Sequence, residues 1–162
     1  MAIYLKLDGV EGASEKKGHE KWIEVLSWNW GASNMGSGHY GSGMSAETTQ
    51  IQDMALTCVG GGKSSLQLLH FLTKGQHFKE LELHVTKAVG DNQEETWMTI
   101  KSDSVFLTMV SFSEQKGMAE SLDNITIQMA NYMHNVKAQE TAGGALKSQG
   151  DFGFDMMKND VK

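Results

Sequence analysis

Ile125-Thr126-Ile127-Gln128-Met129 decides the fold: apolar residues hold every second position and polar residues the positions between. A period of two belongs to a strand with one face buried. The alternation extends over residues 122–136, and segments 47–59, 79–89, 95–101 and 104–112 repeat it with Thr, Val, Ile and aromatic residues. These are residues that suit a pleated, half-buried surface. Nearer the start, Ile3, Leu5 and Leu7 share one face of a strand, opposite Tyr4, Lys6 and Asp8. Trp22 to Trp30 reads as a further strand, with Trp22, Leu26, Trp28 and Trp30 on one side and Ile23, Val25, Ser27 and Asn29 on the other.

One segment departs from this period. Ser64 to Gly75 has a capping serine, helical spacing of Leu66, Leu68, Leu69, Phe71 and Leu72, a lysine in the last turn and a closing glycine. It predicts one short helix. Val89-Gly90-Asp91-Asn92 predicts a hairpin turn, 9–18 a loop, 138–150 a second loop, and 152–156 a last short strand. Six or seven strands with one helix make a mainly β chain, a small barrel or sandwich with a plugging or flanking helix.

The 162 residues suit a single domain, 1–162. A core of that size buries about 70% of the surface of the unfolded chain and needs neither disulfide nor metal. The charge is −6 and all 14 basic residues are lysines. A nucleic-acid surface relies on arginine forks and net positive charge, so no nucleic-acid partner is expected. Cys58 stands alone, which excludes an intrachain disulfide and a CxxC zinc pair. The N-terminus alternates polar and apolar residues, unlike a secretory signal. No apolar run approaches the ~20 residues of a membrane span, so no membrane insertion is expected. With 18 Gly and no Pro, strands and tight glycine turns are favoured over linkers.

Several motifs invite chemistry and give way to plainer readings. Gly36-Ser37-Gly38-His39-Tyr40-Gly41 spells GxGxxG, but that fingerprint works between a strand and a helix, and a strand pattern follows here. Gly60-Gly61-Gly62-Lys63-Ser64 resembles a phosphate loop, yet Thr57 stands where its first glycine belongs. Helix capping explains the segment. His70, His77 and His84 recur every seven residues, but Gly75 separates helix from strand between them. They read as structural rather than as a metal set, while His19, His39 and His134 remain open as partners. No GxSxG or HExxH marks a nucleophile or a metal, so neither an enzyme nor a cofactor is expected. Asn124-Ile125-Thr126 is a sequon by chance, within a strand.

Residues 3–12, Ile-Tyr-Leu-Lys-Leu-Asp-Gly-Val-Glu-Gly, lead into 18–31, Gly-His-Glu-Lys-Trp-Ile-Glu-Val-Leu-Ser-Trp-Asn-Trp-Gly. This order resembles the start of the Hcp family, the hemolysin-coregulated proteins of bacterial type VI secretion systems. The likeness continues through Lys63-Ser64-Ser65-Leu66, 81–88 with Gly90, and 122–136. Leu66 stands where the family usually has proline, Ala13 replaces a glutamate, and Phe152 and Phe154 lie where tryptophan is common.

The resemblance implies a small antiparallel β-barrel with one flanking helix, assembled as a homohexamer whose rings stack into a tube. Its implied partners are the spike, sheath and baseplate components and secreted effectors carried in the lumen. It implies residence in the bacterial cytoplasm before firing and export without a signal peptide. For ring stacking the candidate is the loop 34–46, with Met35, Gly36, Gly38, His39, Tyr40, Gly41, Gly43 and Met44, because apolar groups on a glycine-rich loop gain from docking. For the lumen the candidates are Ser27 and Asn29, opposite the tryptophans of their strand. The competing expectation is a monomeric barrel that binds a small ligand or carbohydrate within a polar cavity.

Overall fold

The computed structural model describes residues 1–34, 36–37, 45–46, 49–90, 93–139, 146–158 and 160–161. In chain order the first elements are β1 (Ala2–Leu7), β2 (Ile23–Asn29), β3 (Ala32–Ser33), β4 (Gly36–Ser37), β5 (Ser45–Ala46), β6 (Gln50–Ile51) and β7 (Met54–Val59). Then come α1 (Lys63–Lys74), β8 (His77–Gly90), β9 (Gln93–Ser113), β10 (Leu122–Met129), β11 (Asn131–Gln139), β12 (Leu146–Asp155) and β13 (Asp160–Val161).

Six of these strands close on themselves. The order β10-β7-β2-β1-β8-β9 returns to β10 through a β9–β10 ladder, and every pairing is antiparallel. Closure removes the exposed strand edges that an open sheet leaves available to other chains. β9 is long enough to run beside β8 and β11 over its first half and beside β10 over its second. β11, β12 and β13 extend the sheet outward from the barrel wall.

Alternation fills the interior. Leu5 and Leu7 from β1, Leu81 and Leu83 from β8, Ile100 and Leu107 from β9, and Ile125 and Ile127 from β10 are buried in one cluster. Each such side chain contributes about 1.5–3 kcal/mol by leaving water. Leu68 brings α1 onto this core, and Phe71 stacks on Phe78 with ring centroids 4.4 Å apart. The helix ends as its sequence predicts: Gly75 is left-handed at φ 61°, and its N–H donates back to the Leu72 carbonyl.

Five details differ from the sequence reading. First, β2 does not keep one face throughout, because a bulge between Val25 and Ser27 leaves Leu26 without a partner in β7. One extra residue reverses the alternation. Ile23 and Val25 point into the core before the bulge, and Trp28 and Trp30 pack against it afterwards. Leu26, placed with the tryptophans by strict alternation, is 53% exposed.

Second, 95–101 and 104–112 form one strand, since β9 exchanges partner from β11 to β10 without stopping. Third, 122–136 is two strands broken at Ala130, whose N–H donates to Ser104 and whose carbonyl accepts from Met156. Fourth, much of the expected loop 138–150 is strand, since β12 begins at Leu146 and pairs with β11. Its first residues are mostly exposed on both faces, so no apolar period announces them. Fifth, Gly62 rather than a serine caps α1, and no side chain caps its first turn. Ser64 and Ser65 are buried within that turn instead.

Candidate assembly and cargo surfaces

The bulge at Leu26 orients the β2 candidates. Because Trp28 turns inward, Ser27 and Asn29 turn outward and are exposed. Register then carries two rows across four strands: Ser27, Thr57, Asn124 and Ser111 in one, and Asn29, Ala55, Thr126 and Met109 in the next. At about 4.8 Å per strand each row spans roughly 14 Å. Thr57 donates a 2.9 Å hydrogen bond to Asn124, and Thr108 donates to the Thr126 carbonyl at 3.1 Å. None of the eight residues is ionisable, so this strip of barrel wall offers small hydrogen-bonding groups and one thioether without a fixed charge.

The loop candidates fall differently. Met35, Gly38, His39, Tyr40, Gly41, Gly43 and Met44 lie outside the described residues, and Gly36 is placed in β4, opposite Ala46 of β5. Gly31 accepts from the Gln52 N–H, β3 pairs with β6, and Asn34 donates to Thr49 at 3.3 Å. The stem leading to the loop is therefore a two-stranded ribbon. β4 pairs antiparallel with β5, whereas the dinucleotide fingerprint works between a strand and a helix.

At the N-terminus of α1 the Ser65 hydroxyl donates to the carboxylate of Asp123, which is 2% exposed, and accepts from the Gly61 N–H at 3.0 Å. A carboxylate already occupies the place where a phosphate would sit. Lys63 turns away to Glu11 at 2.6 Å. A cavity of about 520 Å³ between this turn and residues 112–121 is flanked by Leu66 and Phe112. Another of about 360 Å³, lined by His77, Met129 and Met156, opens at the opposite end of β10.

The histidines assemble in a way that their spacing did not show. His70 stays on α1, and His77 meets Phe106. His84 instead pairs with His19: Nε2 of His19 and Nδ1 of His84 are 3.0 Å apart. The His84 Nε2 lies 3.2 Å from Glu82, which Lys101 holds at 2.6 Å. Tyr4 stacks on His19 at 4.4 Å, and Trp22 contacts both imidazoles. Burial, and then the facing His84, hold His19 below the usual imidazole range, against Glu20, Glu94 and Glu82. Burial likewise lowers His84, more than Glu82 raises it. Burial alone would raise Glu82, but the Lys101 hydrogen bond and charge and the hydrogen bond from His84 hold it low. The signal for this cluster was the register of Tyr4 with His84 across β1 and β8, which single-strand periodicity does not contain. Among the described residues no group of three His, Cys, Asp or Glu could hold a metal ion.

Residues 4–139 match the family model described as Type VI secretion system effector, Hcp. The chain belongs to the Hcp family. Protein hcp1 of Pseudomonas aeruginosa is 29% identical over 157 residues, covering 97% of this chain and 96% of that protein. A solved structure titled as a type six secretion system protein superposes with a TM-score of 0.91 at 26% identity, covering 99% of each chain. Hcp1 from Salmonella typhimurium shares the fold with a TM-score of 0.77 at 22% identity, over 99% of this chain and 98% of that one. As an Hcp protein the chain is a secreted, structural β-barrel component of type VI secretion. No helix among the described residues is long and apolar enough to cross a membrane.

Proposed function

We propose that six copies close into a ring, that rings stack into the type VI secretion tube, and that effectors travel in its lumen. The carrying observation is the uncharged double row through Ser27 and Asn29, set on the wall of a barrel whose interior is filled by its own core. A channel wall must let folded cargo of either charge pass and hold it weakly, and small neutral side chains suit that task. A monomeric ligand-binding barrel would instead keep a polar cavity inside. In this chain Leu5, Leu83, Ile100 and Ile127 fill that space, and the two cavities described lie at the barrel ends.

Head-to-tail contacts that close by rotation generate a ring. Stacking through the 34–46 loop, including Met35, His39, Tyr40 and Met44, repeats around that ring. A contact of only about 1.5 kcal/mol per subunit then reaches the micromolar range for a ring pair. Spike, sheath, baseplate and effectors are the partners of such a tube, which assembles in the cytoplasm and leaves through the machine without a signal peptide. The lumen and effector-contact roles of Ser27 and Asn29 belong to the same reading. Electron microscopy of the purified protein tests it: six-fold annular class averages with an open centre support the ring, and compact particles of single-subunit size contradict it.

A further inference from the structure

We propose that the His19–His84 pair is a proton-operated clasp that holds the tip of the 9–22 loop on the barrel wall and releases it when both rings are charged. Within the loop Gly12 and Lys21 donate to the carbonyls of Lys21 and Ser14, and Ser14 donates to that of Trp22, a short ladder that protects these amides while the tip is held on the wall. Its Glu11 end is tied to α1 by a hydrogen bond from the Glu11 N–H to Gln67 and by the pair with Lys63. Its His19 end is tied to the wall through Tyr4 and His84.

The hydrogen-bond chemistry fixes which proton states the clasp accepts. Glu82 is ionised and can only accept, so His84 carries its proton on Nε2 and presents a lone pair at Nδ1. The facing Nε2 of His19 is therefore the donor. A first proton goes to His19 Nδ1 and leaves this bond intact. A second must go to His84 Nδ1, which removes the acceptor and sets two cations 3.0 Å apart. Two such groups titrate as a coupled pair.

The surroundings sharpen the transition. Tyr4 and Lys6 face the pair from β1, Glu82 from β8, Glu94 and Lys101 from β9, and Lys16 and Glu20 from the loop itself. Lys16 is bound to Glu94 at 3.1 Å, and Lys101 and Lys6 reach Glu82 at 2.6 and 4.0 Å. Glu82 and Glu94 are thus already matched by lysines, and Glu20, beside His19, accepts from the Gly18 N–H at 3.0 Å. The first charge, on His19, faces Glu20, whereas the second, on His84, meets a Glu82 already matched by Lys101 and Lys6.

Hydrogen exchange, corrected for intrinsic rates, tests the clasp on the full chain at about pH 7.5 and about pH 5. The expected result is a loss of protection of about tenfold or more at Gly12, Ser14 and Lys21 at the lower pH, with α1 amides unchanged. In His84→Gln, whose amide oxygen still accepts from His19, protection persists at both values. Equal protection in the wild type at both values overturns the proposal. So does an equal loss in His84→Gln, or a simultaneous loss across α1. Should His84→Gln fail to fold, an NMR titration of the wild-type imidazoles decides: two coupled steps, the lower accompanied by a change at Trp22, support the clasp, and two independent ordinary titrations overturn it.

Discussion

Gly60 rests against the buried carboxylate of Asp123, so closely that a Cβ at residue 60 would collide with Oδ1. The contact locks the end of β7 to the start of β10 at the point where the chain turns into α1. Gly60→Ala should destabilise the protein by about 1–3 kcal/mol through overpacking. Gly12→Ala should cost at least as much, because its Cβ would meet the Trp22 backbone, which cannot rotate away. Gly62 faces open space at an ordinary φ of −111° and caps α1, so Gly62→Asp should be neutral or stabilising by a few tenths of about 1 kcal/mol. Urea denaturation of the three variants gives the order directly.

Core and wall should separate by an order of magnitude. Leu83→Ala empties a fully buried position in the barrel and should cost about 2–5 kcal/mol. Leu26→Ser, at the exposed bulge, should change stability by under about 0.5 kcal/mol. A large loss for Leu26→Ser in the isolated chain would contradict the bulge at this position.

His19, His84 and His134 are all held below the ordinary imidazole range by burial. When pH falls below the unfolded histidine value, near 6.5, the unfolded chain takes up protons that the folded chain refuses. Stability is therefore greatest above that value and declines as pH falls toward the lowered folded values. Melting temperatures measured from neutral pH downward should fall through this window. His84→Gln should flatten the decline, and an unchanged slope in that variant would contradict the assignment.

Cys58 lies at the centre of the core, and burial, followed by the nearby Asp123 charge, pushes its thiol up to about 12. Little thiolate exists at neutral pH and the reagent has no path to it. Alkylation should be negligible in the native protein and complete in denaturant. Rapid native labelling would mean that the β7–β10 wall opens.

Alternation made 122–129 legible because Asp123, Ile125, Ile127 and Met129 all face one buried side. It also made α1 legible, since Gly75 supplies a left-handed stop that few other residues favour. Alternation failed at Leu26, where a bulge reversed the faces of β2 without a local signature such as glycine. It failed again at β12, whose exposed first residues carry no apolar period because the strand lies outside the closed barrel. The cap of α1 lies at Gly62 because the helix already begins at Lys63, which places Ser64 inside the first turn, and the neighbouring Ser65 hydroxyl is engaged with Asp123 and Gly61. Ser27 and Asn29 are exposed, on a face set by the bulge rather than by unbroken alternation. The His19–His84 pair joins residues 65 positions apart and could be found only through the β1–β8 register.

The central claim is assembly into a closed ring, and native mass spectrometry across a concentration series tests it most directly. The account predicts a dominant species at six times the 17.8 kDa chain, with ring pairs appearing as concentration rises into the micromolar range. A monomer that persists far above about micromolar concentration would contradict it.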